Sequence, residues 1–282
     1  MKYPAVFINH GGGPLPLMGR QPDLVKNMKH VVKNLLPKTP PSAIVVLSAH
    51  WESEPVTITS AAKPSLLFDY SGFPNETYAY EYPAPGDPAL AQQIQNFLEQ
   101  QGIESLLDDE RGLDHGVFVP LMLMYPAANI PVVQVSLDAS LDASKNMDVG
   151  KALEPLRDDN ILIMGSGYTF HNMEAFFNPS KATVNGSRDF NQWLKSVILP
   201  PEETKEDTAS LYEQRMRELR SWDKAPGARI SHPREEHLLP LFMVAAAAGE
   251  STTPKLIYDT TASFDQAVGQ SDHAVTGYLF DY

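Results

Sequence analysis

Two kinds of apolar pattern alternate along the first two-thirds of the chain. Short unbroken runs at Ala5–Asn9, 43–48, 131–137 and 160–165 read as strands buried on both faces. Other stretches carry apolar residues at helical spacing. Leu24, Val25, Met28, Val31, Val32 and Leu35 do so over 21–36, a segment that stops before Pro37. Pro88–Gln100 is a second such stretch, with Asp87 placed to cap its start and Gly102 after its end. Residues 143–156 form a third, and a short helix ends at Tyr125. Val56–Thr59 and 103–107 add short strands. The repeated order of strand, helix and strand predicts an α/β fold: a mostly parallel central sheet with helices on both faces.

After Gly167 the texture changes. Residues 189–199 and 202–222 are charged and helical and read as an exposed cap, 237–248 as an apolar helix, and 256–258 and 278–280 as closing strands. No linker or internal repeat divides the chain, so 1–282 is expected to form one domain. One long segment, 66–88, resists assignment. It is rich in Pro, Gly and aromatics (Phe68, Tyr70, Phe73, Tyr78, Tyr80, Tyr82), and a loop of that length inside a compact domain usually serves function.

The histidines fall into this pattern unevenly. Of eight, His10 follows the first strand and precedes Gly11-Gly12-Gly13, and His50 follows the second in Ser48-Ala49-His50-Trp51. His171 comes after the strand 160–165 and the small residues Ser166-Gly167 that follow it, and His237 opens the apolar helix. Imidazoles at the carboxyl edge of a parallel sheet suit a metal site, and a strand end holds their angle. At the third position the residues leave a choice between His237, which would give an all-nitrogen face, and Glu235 or Glu236, which would give two histidines and a carboxylate. His115, in Leu113-Asp114-His115-Gly116, reads either as a donor to substrate or as a turn histidine paired with Asp114. His171 suits a general base beside a metal. His232 and His273 are second-choice ligands, and His30 is a solvated helix residue. The glycines after His10 lack the Gly-Lys-Ser/Thr of a phosphate loop.

Composition narrows the chemistry. A net charge of −13 disfavours nucleic acid and anionic membrane surfaces as partners. Without cysteine, disulfides and thiolate zinc sites are excluded. A chain of 282 residues buries roughly 75% of its unfolded surface, so a metal here would be catalytic rather than needed for folding. The N-terminus has no signal-like apolar core and no run reaches membrane-spanning length, which makes a cytoplasmic location the expectation.

These pieces, in order, resemble the class III extradiol ring-cleaving dioxygenases, and most closely their DOPA 4,5-dioxygenase-like branch. The likeness rests on 6–14 with His10, on Ser48-Ala49-His50-Trp51, Leu113-Asp114-His115-Gly116 and His171-Asn172, and on Glu236-His237-Leu238-Leu239-Pro240-Leu241. Gly72-Phe73-Pro74 and Tyr82-Pro83-Ala84-Pro85-Gly86 add to it. The resemblance implies a metal site at the carboxyl edge of the sheet, with His10, His50 and His237 as ligands. It implies His171 as the base that takes a catechol proton and His115 as a residue acting on substrate or oxygen. Fe(II) is then expected for activity. Zn(II) is able to occupy the same site, with His171 as a fourth ligand. The implied partners are a small aromatic diol and O2, and the sequence leaves room for a homo-oligomer. Two other functions fit the same histidines: a zinc-dependent hydrolase, and a non-catalytic binding protein on this fold.

Overall fold

The computed structural model describes residues 2–201, 207–262 and 272–281. Among them, eight strands form one sheet in the order β4-β3-β5-β2-β6-β1-β8-β7. The strands are β1 (Ala5–Asn9), β2 (Ala43–Ser53), β3 (Val56–Thr59), β4 (Ser105–Asp108), β5 (Val132–Asp138), β6 (Ile161–Gly167), β7 (Thr253–Ala262) and β8 (His273–Asp281). The central four, β5-β2-β6-β1, are parallel to one another. β3 turns antiparallel to β5, and β8 antiparallel to β1.

The helices are α1 (Pro22–His30), α2 (Pro88–Gln100), α3 (His115–Met124), α4 (Ala143–Ala152), α5 (Met173–Phe177), α6 (Lys181–Ile198), α7 (Thr208–Arg220), α8 (Ala228–Ser231) and α9 (Leu239–Ala248). They cover both faces, and the strands show why. Side chains alternate across a strand, so Phe7, Val45 and Ile163 face one way and Val6, Ile44 and Leu162 the other. The first set packs against α2, α4, α6, α7 and α9. The second packs against α1 and α3. Central strands covered on both sides need continuous apolar runs, which is what made them readable.

Three expectations need correction. The segment 189–222 is not an exposed cap. α6 begins earlier, at Lys181, and buries Phe190, Leu194 and Ile198, while α7 buries Tyr212, Met216 and Leu219, all in the sheet's larger core. Residues 202–206 lie outside the described residues. β2 does not stop at Ser48. It runs to Ser53 through a register shift against β5 between Leu47 and Glu52, so His50 lies at an irregularity inside the strand. Such bulges re-aim side chains. Finally, His237 does not open α9 but stands two residues before it, in the turn closed by the Leu238 and Leu239 amides on the Glu235 carbonyl.

Candidate active site

The carboxyl ends of β1, β6 and β2 lie side by side, and the histidines gather there. His10 is one residue beyond β1, its amide bonded to the Gly167 carbonyl at 3.2 Å. β6 separates β1 from β2, so His10 and His50 sit on strands two positions apart rather than neighbouring ones. The ~10 Å between such strands is spanned by the two side chains. Their Nε2 atoms meet at 3.0 Å.

His237 reaches the same point because β6 ends in glycine. A Cβ on Gly167 would lie 2.2 Å from the His237 carbonyl oxygen, and the Tyr168 amide donates to that carbonyl at 2.7 Å. Gly167→Ala must therefore push the His237 turn off the sheet edge. We expect a loss of about 1–3 kcal/mol in denaturant unfolding, together with weaker metal binding in the folded protein.

His10, His50 and His237 each offer a ring nitrogen, all within 4.8 Å of one another. His115 packs against His50 with ring centroids 3.9 Å apart, and His171 stacks on His237 at 3.4 Å. His115 enters from the first turn of α3. His171 hangs before α5, its amide donating to the Ser231 carbonyl at 2.9 Å.

Hydrogen bonds fix which nitrogen carries the proton in four of the five rings, those of His10, His115, His171 and His237. One oxygen of Glu236, Oε1, lies 2.9 Å from His237 Nδ1 and 3.2 Å from His171 Nδ1. Burial raises the Glu236 carboxyl, but the hydrogen bonds from His171 and His237 outweigh it and hold it below the usual carboxylate range. An ionised carboxylate only accepts, so both rings donate from Nδ1 and keep a bare lone pair on Nε2. Asp69 does the same for His115, accepting from its Nδ1 at 2.8 Å and from its backbone amide at 3.0 Å. Burial raises Asp69, and the hydrogen bond and charge of His115 bring it below its ordinary value. The second Asp69 oxygen stands 3.6 Å from His50 Nδ1. Ser166 spends its hydroxyl proton on the Gly116 carbonyl, so His10 Nδ1 donates to Ser166 Oγ at 3.1 Å and its Nε2 is bare as well.

The ligand-type imidazoles are also kept neutral. Burial, then the neighbouring imidazoles His237, His115 and His171, hold His10 well below its ordinary value. Burial, then His115 and His10, do so for His50. Burial and His171 push His237 down to about 3. Neutral nitrogen donors compete poorly for protons and well for Zn or Fe. The His10 and His50 Nε2 atoms stand 3.0 Å apart and His237 offers a third ring nitrogen within 4.8 Å, an all-nitrogen set of the kind that suits Zn or Fe. The donor set fits one divalent cation.

A cavity of about 200 Å³ opens above the cluster, with Tyr70, Phe73, Tyr168, Met173 and Phe176 among its lining residues. Only Tyr70 and Phe73 come from the long aromatic loop. Phe68 packs on Phe118 and Tyr70 instead, Tyr78 packs on Phe68 and Tyr70, and Tyr82 is buried with its hydroxyl on the Tyr125 carbonyl. The loop is thus partly wall and partly its own support.

The family described as the catalytic LigB subunit of aromatic ring-opening dioxygenase matches residues 4–269. The chain belongs to this family. Dioxygenase tasH of Hapsidospora irregularis is 38% identical over 267 residues, covering 88% of this chain and 78% of that protein. A protein named 4,5-DOPA dioxygenase extradiol in Beta vulgaris is 35% identical over 256 residues, 90% of each chain, and one of that name in Escherichia coli K12 is 33% identical over 251 residues, 87% and 85%. A crystal structure of an uncharacterised Escherichia coli K12 protein superposes with a TM-score of 0.72 at 26% identity, covering 99% of both chains. This family member is an oxygenase of the extradiol ring-opening type, acting on an aromatic substrate with O2. Its histidine group gives it a place to bind the metal on which such enzymes depend. No helix among the described residues is long and apolar enough to cross a membrane.

Several residues considered in the sequence fall outside the cluster. His232 is buried between Phe190 and Trp222. His273 stacks on Phe170 and reaches Thr183, and His30 is exposed. Glu235 is paired with Arg229 at 2.8 Å. The pairing of His115 with Asp114 does not form, because Asp114 is turned to Ser48 and Gln134 and Asp69 takes the imidazole. Asp69 and Ser166 were not singled out by sequence. Asp69 sits in an aperiodic loop that is brought to α3 by pairing of Leu66 with Leu113, which no spacing announces.

Proposed function

We propose that this enzyme opens a catechol ring beside, not between, its hydroxyls, with Fe(II) held by His10, His50 and His237 and with the whole of 1–282 acting as one catalytic domain. The observation that carries the reading is the convergence of three neutral imidazoles, two of them with Nδ1 locked as a donor, beside a fourth whose Nε2 lone pair is also free. The chemistry a divalent ion supplies here is acidification of the diol and, for iron, passage of electrons from ring to oxygen; zinc has no second accessible oxidation state and gives only the first.

The residues do the rest. Phenols ionise near 10, so a catechol held at the cluster must give up protons to neighbours. His171 accepts one at Nε2, and Glu236 steadies the imidazolium through Nδ1. His115, oriented by Asp69 against the opposite side of His50, faces substrate and oxygen from across the cluster. Tyr70, Phe73, Tyr168 and Phe176 hold the ring and exclude water. Both atoms of O2 enter the product, so no external reductant is consumed.

If Zn(II) takes the site, His171 is the fourth donor, since its ring already stacks on His237. The shared carboxylate makes a separate prediction. Glu236→Leu takes the acceptor from both rings and should weaken metal binding about 10–100-fold, read by competition with a chromophoric chelator. The function itself is tested by loading Fe(II) without air, then adding a panel of catechols and oxygen. A yellow ring-opened product is expected, and none from any catechol overturns the reading.

A further inference from the structure

The Asp114 carboxyl has no part in the function proposed above, and it does not do what its position in the chain would lead one to expect. Asp114 stands just before α3, where an aspartate side chain ordinarily accepts from a free amide of the opening turn. Here it makes no such bond. The Asp114 backbone carbonyl takes the Val117 and Phe118 amides, and Asp69 takes that of His115. The side chain is fully buried and turned inward instead. One oxygen accepts from Ser48 Oγ at 2.8 Å. The other accepts from Gln134 Nε2 and, at 3.4 Å, from Arg111 Nη2.

Two of these partners go on to His50. Ser48 Oγ, its proton given to Asp114, accepts from the His50 amide at 3.2 Å, and Arg111 Nη2 donates to the His50 carbonyl at 3.2 Å. The His50 backbone needs such partners. β2 loses its register with β5 between Leu47 and Glu52, and its pairing with β6 ends at Ser48, so the sheet ladder does not reach His50. A backbone polar group held away from water without a partner is costly. The start of α3 can approach this closely because residue 116 is glycine: a Cβ there would lie 2.6 Å from Ser48 Oγ and 3.1 Å from Asp114 Oδ1.

The three ligand-type rings differ in a matching way. Ser166 orients His10 through Nδ1, and Glu236 orients His237 through Nδ1. His50 Nδ1 stands 3.6 Å from Asp69 Oδ2, too far for a hydrogen bond. The direction of this imidazole is therefore set from its backbone. We infer that Asp114 is a positioning residue, which holds His50 by its amide through Ser48 and by its carbonyl through Arg111 and so aims the His50 ring at the cation site. The inference rests on the ligand set proposed above.

Three variants test it in the protein loaded with Zn(II) or Co(II), without turnover. Asp114→Asn keeps the shape but puts an amide NH2 where a donor now points, so one of the two arms must let go. Ser48→Ala removes the hydroxyl between Asp114 and the His50 amide. Arg111→Met keeps the stem over the Trp51 ring and removes the donor to the His50 carbonyl; Arg111 is partly exposed, so folding is not at stake there. Leu194→Ala, buried in α6 away from the site, is the control for stability alone. We expect Asp114→Asn to weaken Zn(II) binding about 10–100-fold in chelator competition, each arm variant to weaken it less, and all three to shift the visible ligand-field bands of the Co(II) protein. Leu194→Ala should lower the melting temperature and move neither readout. Parent affinity and parent bands in either folded arm variant would overturn the inference and leave the ligand set standing. So would a like shift in Leu194→Ala, because the effect would then be one of stability. A parent chain that binds neither ion would overturn the ligand set, and this inference with it.

Discussion

His237→Ala should yield a folded protein that no longer retains a divalent ion at micromolar concentrations and cleaves no catechol. The expected loss of metal affinity exceeds the 10–100-fold that follows removal of a group merely orienting a ligand, because a donor nitrogen itself is gone. The geometry makes the effect specific. His237 Nε2 is the lone pair that Glu236 frees by accepting from Nδ1, and the neighbouring donors of His10, just beyond β1, and His50, on β2, remain in place. His10→Ala should behave alike. Metal content after dialysis, measured beside the melting curve, separates loss of a ligand from loss of the fold. A His237→Ala protein that keeps stoichiometric metal and activity would remove His237 from the ligand set.

His171→Ala should lower kcat by about 10²–10⁴-fold with iron bound, the usual contribution of a positioned general base, or about 2.7–5.4 kcal/mol of barrier. Metal affinity for Fe(II) should stay within a few-fold of the parent, since His10 and His237 keep their own hydrogen bonds to Ser166 and Glu236. For Zn(II) the same substitution should weaken binding, because His171 then supplies the fourth nitrogen. The two metals thus read the two roles of one side chain. Equal loss of affinity for both ions would make His171 an ordinary ligand, and an unchanged kcat would deny it the proton.

The parallel strands and the histidines that end them were legible in the sequence because both follow from local rules. A strand buried on two faces must be continuously apolar, and the residue beyond it sits at the sheet edge; β1 with His10 shows both. What escaped was whatever depends on tertiary contact. His50 was expected past the end of a strand, yet the strand continues through a bulge whose cause lies in pairing with β5. α6 and α7 read as an exposed cap, since their many charged residues mask the apolar stripe of Phe190, Leu194, Tyr212 and Met216. Asp69 orients His115 from a loop with no periodicity at all. Glu236 was visible as a rival ligand to His237, and its place behind two imidazoles could be seen only once the turn before α9 was built.

The central claim is that the imidazoles of His10, His50 and His237 hold one divalent ion. Anomalous diffraction from crystals of the metal-loaded protein tests it most directly. We predict one strong peak at about 2.0–2.2 Å from the Nε2 atoms of those three residues. A peak seated instead at Asp69 with His115 and His50, or at Glu236 with His171, both of which also gather potential ligand atoms, would contradict it.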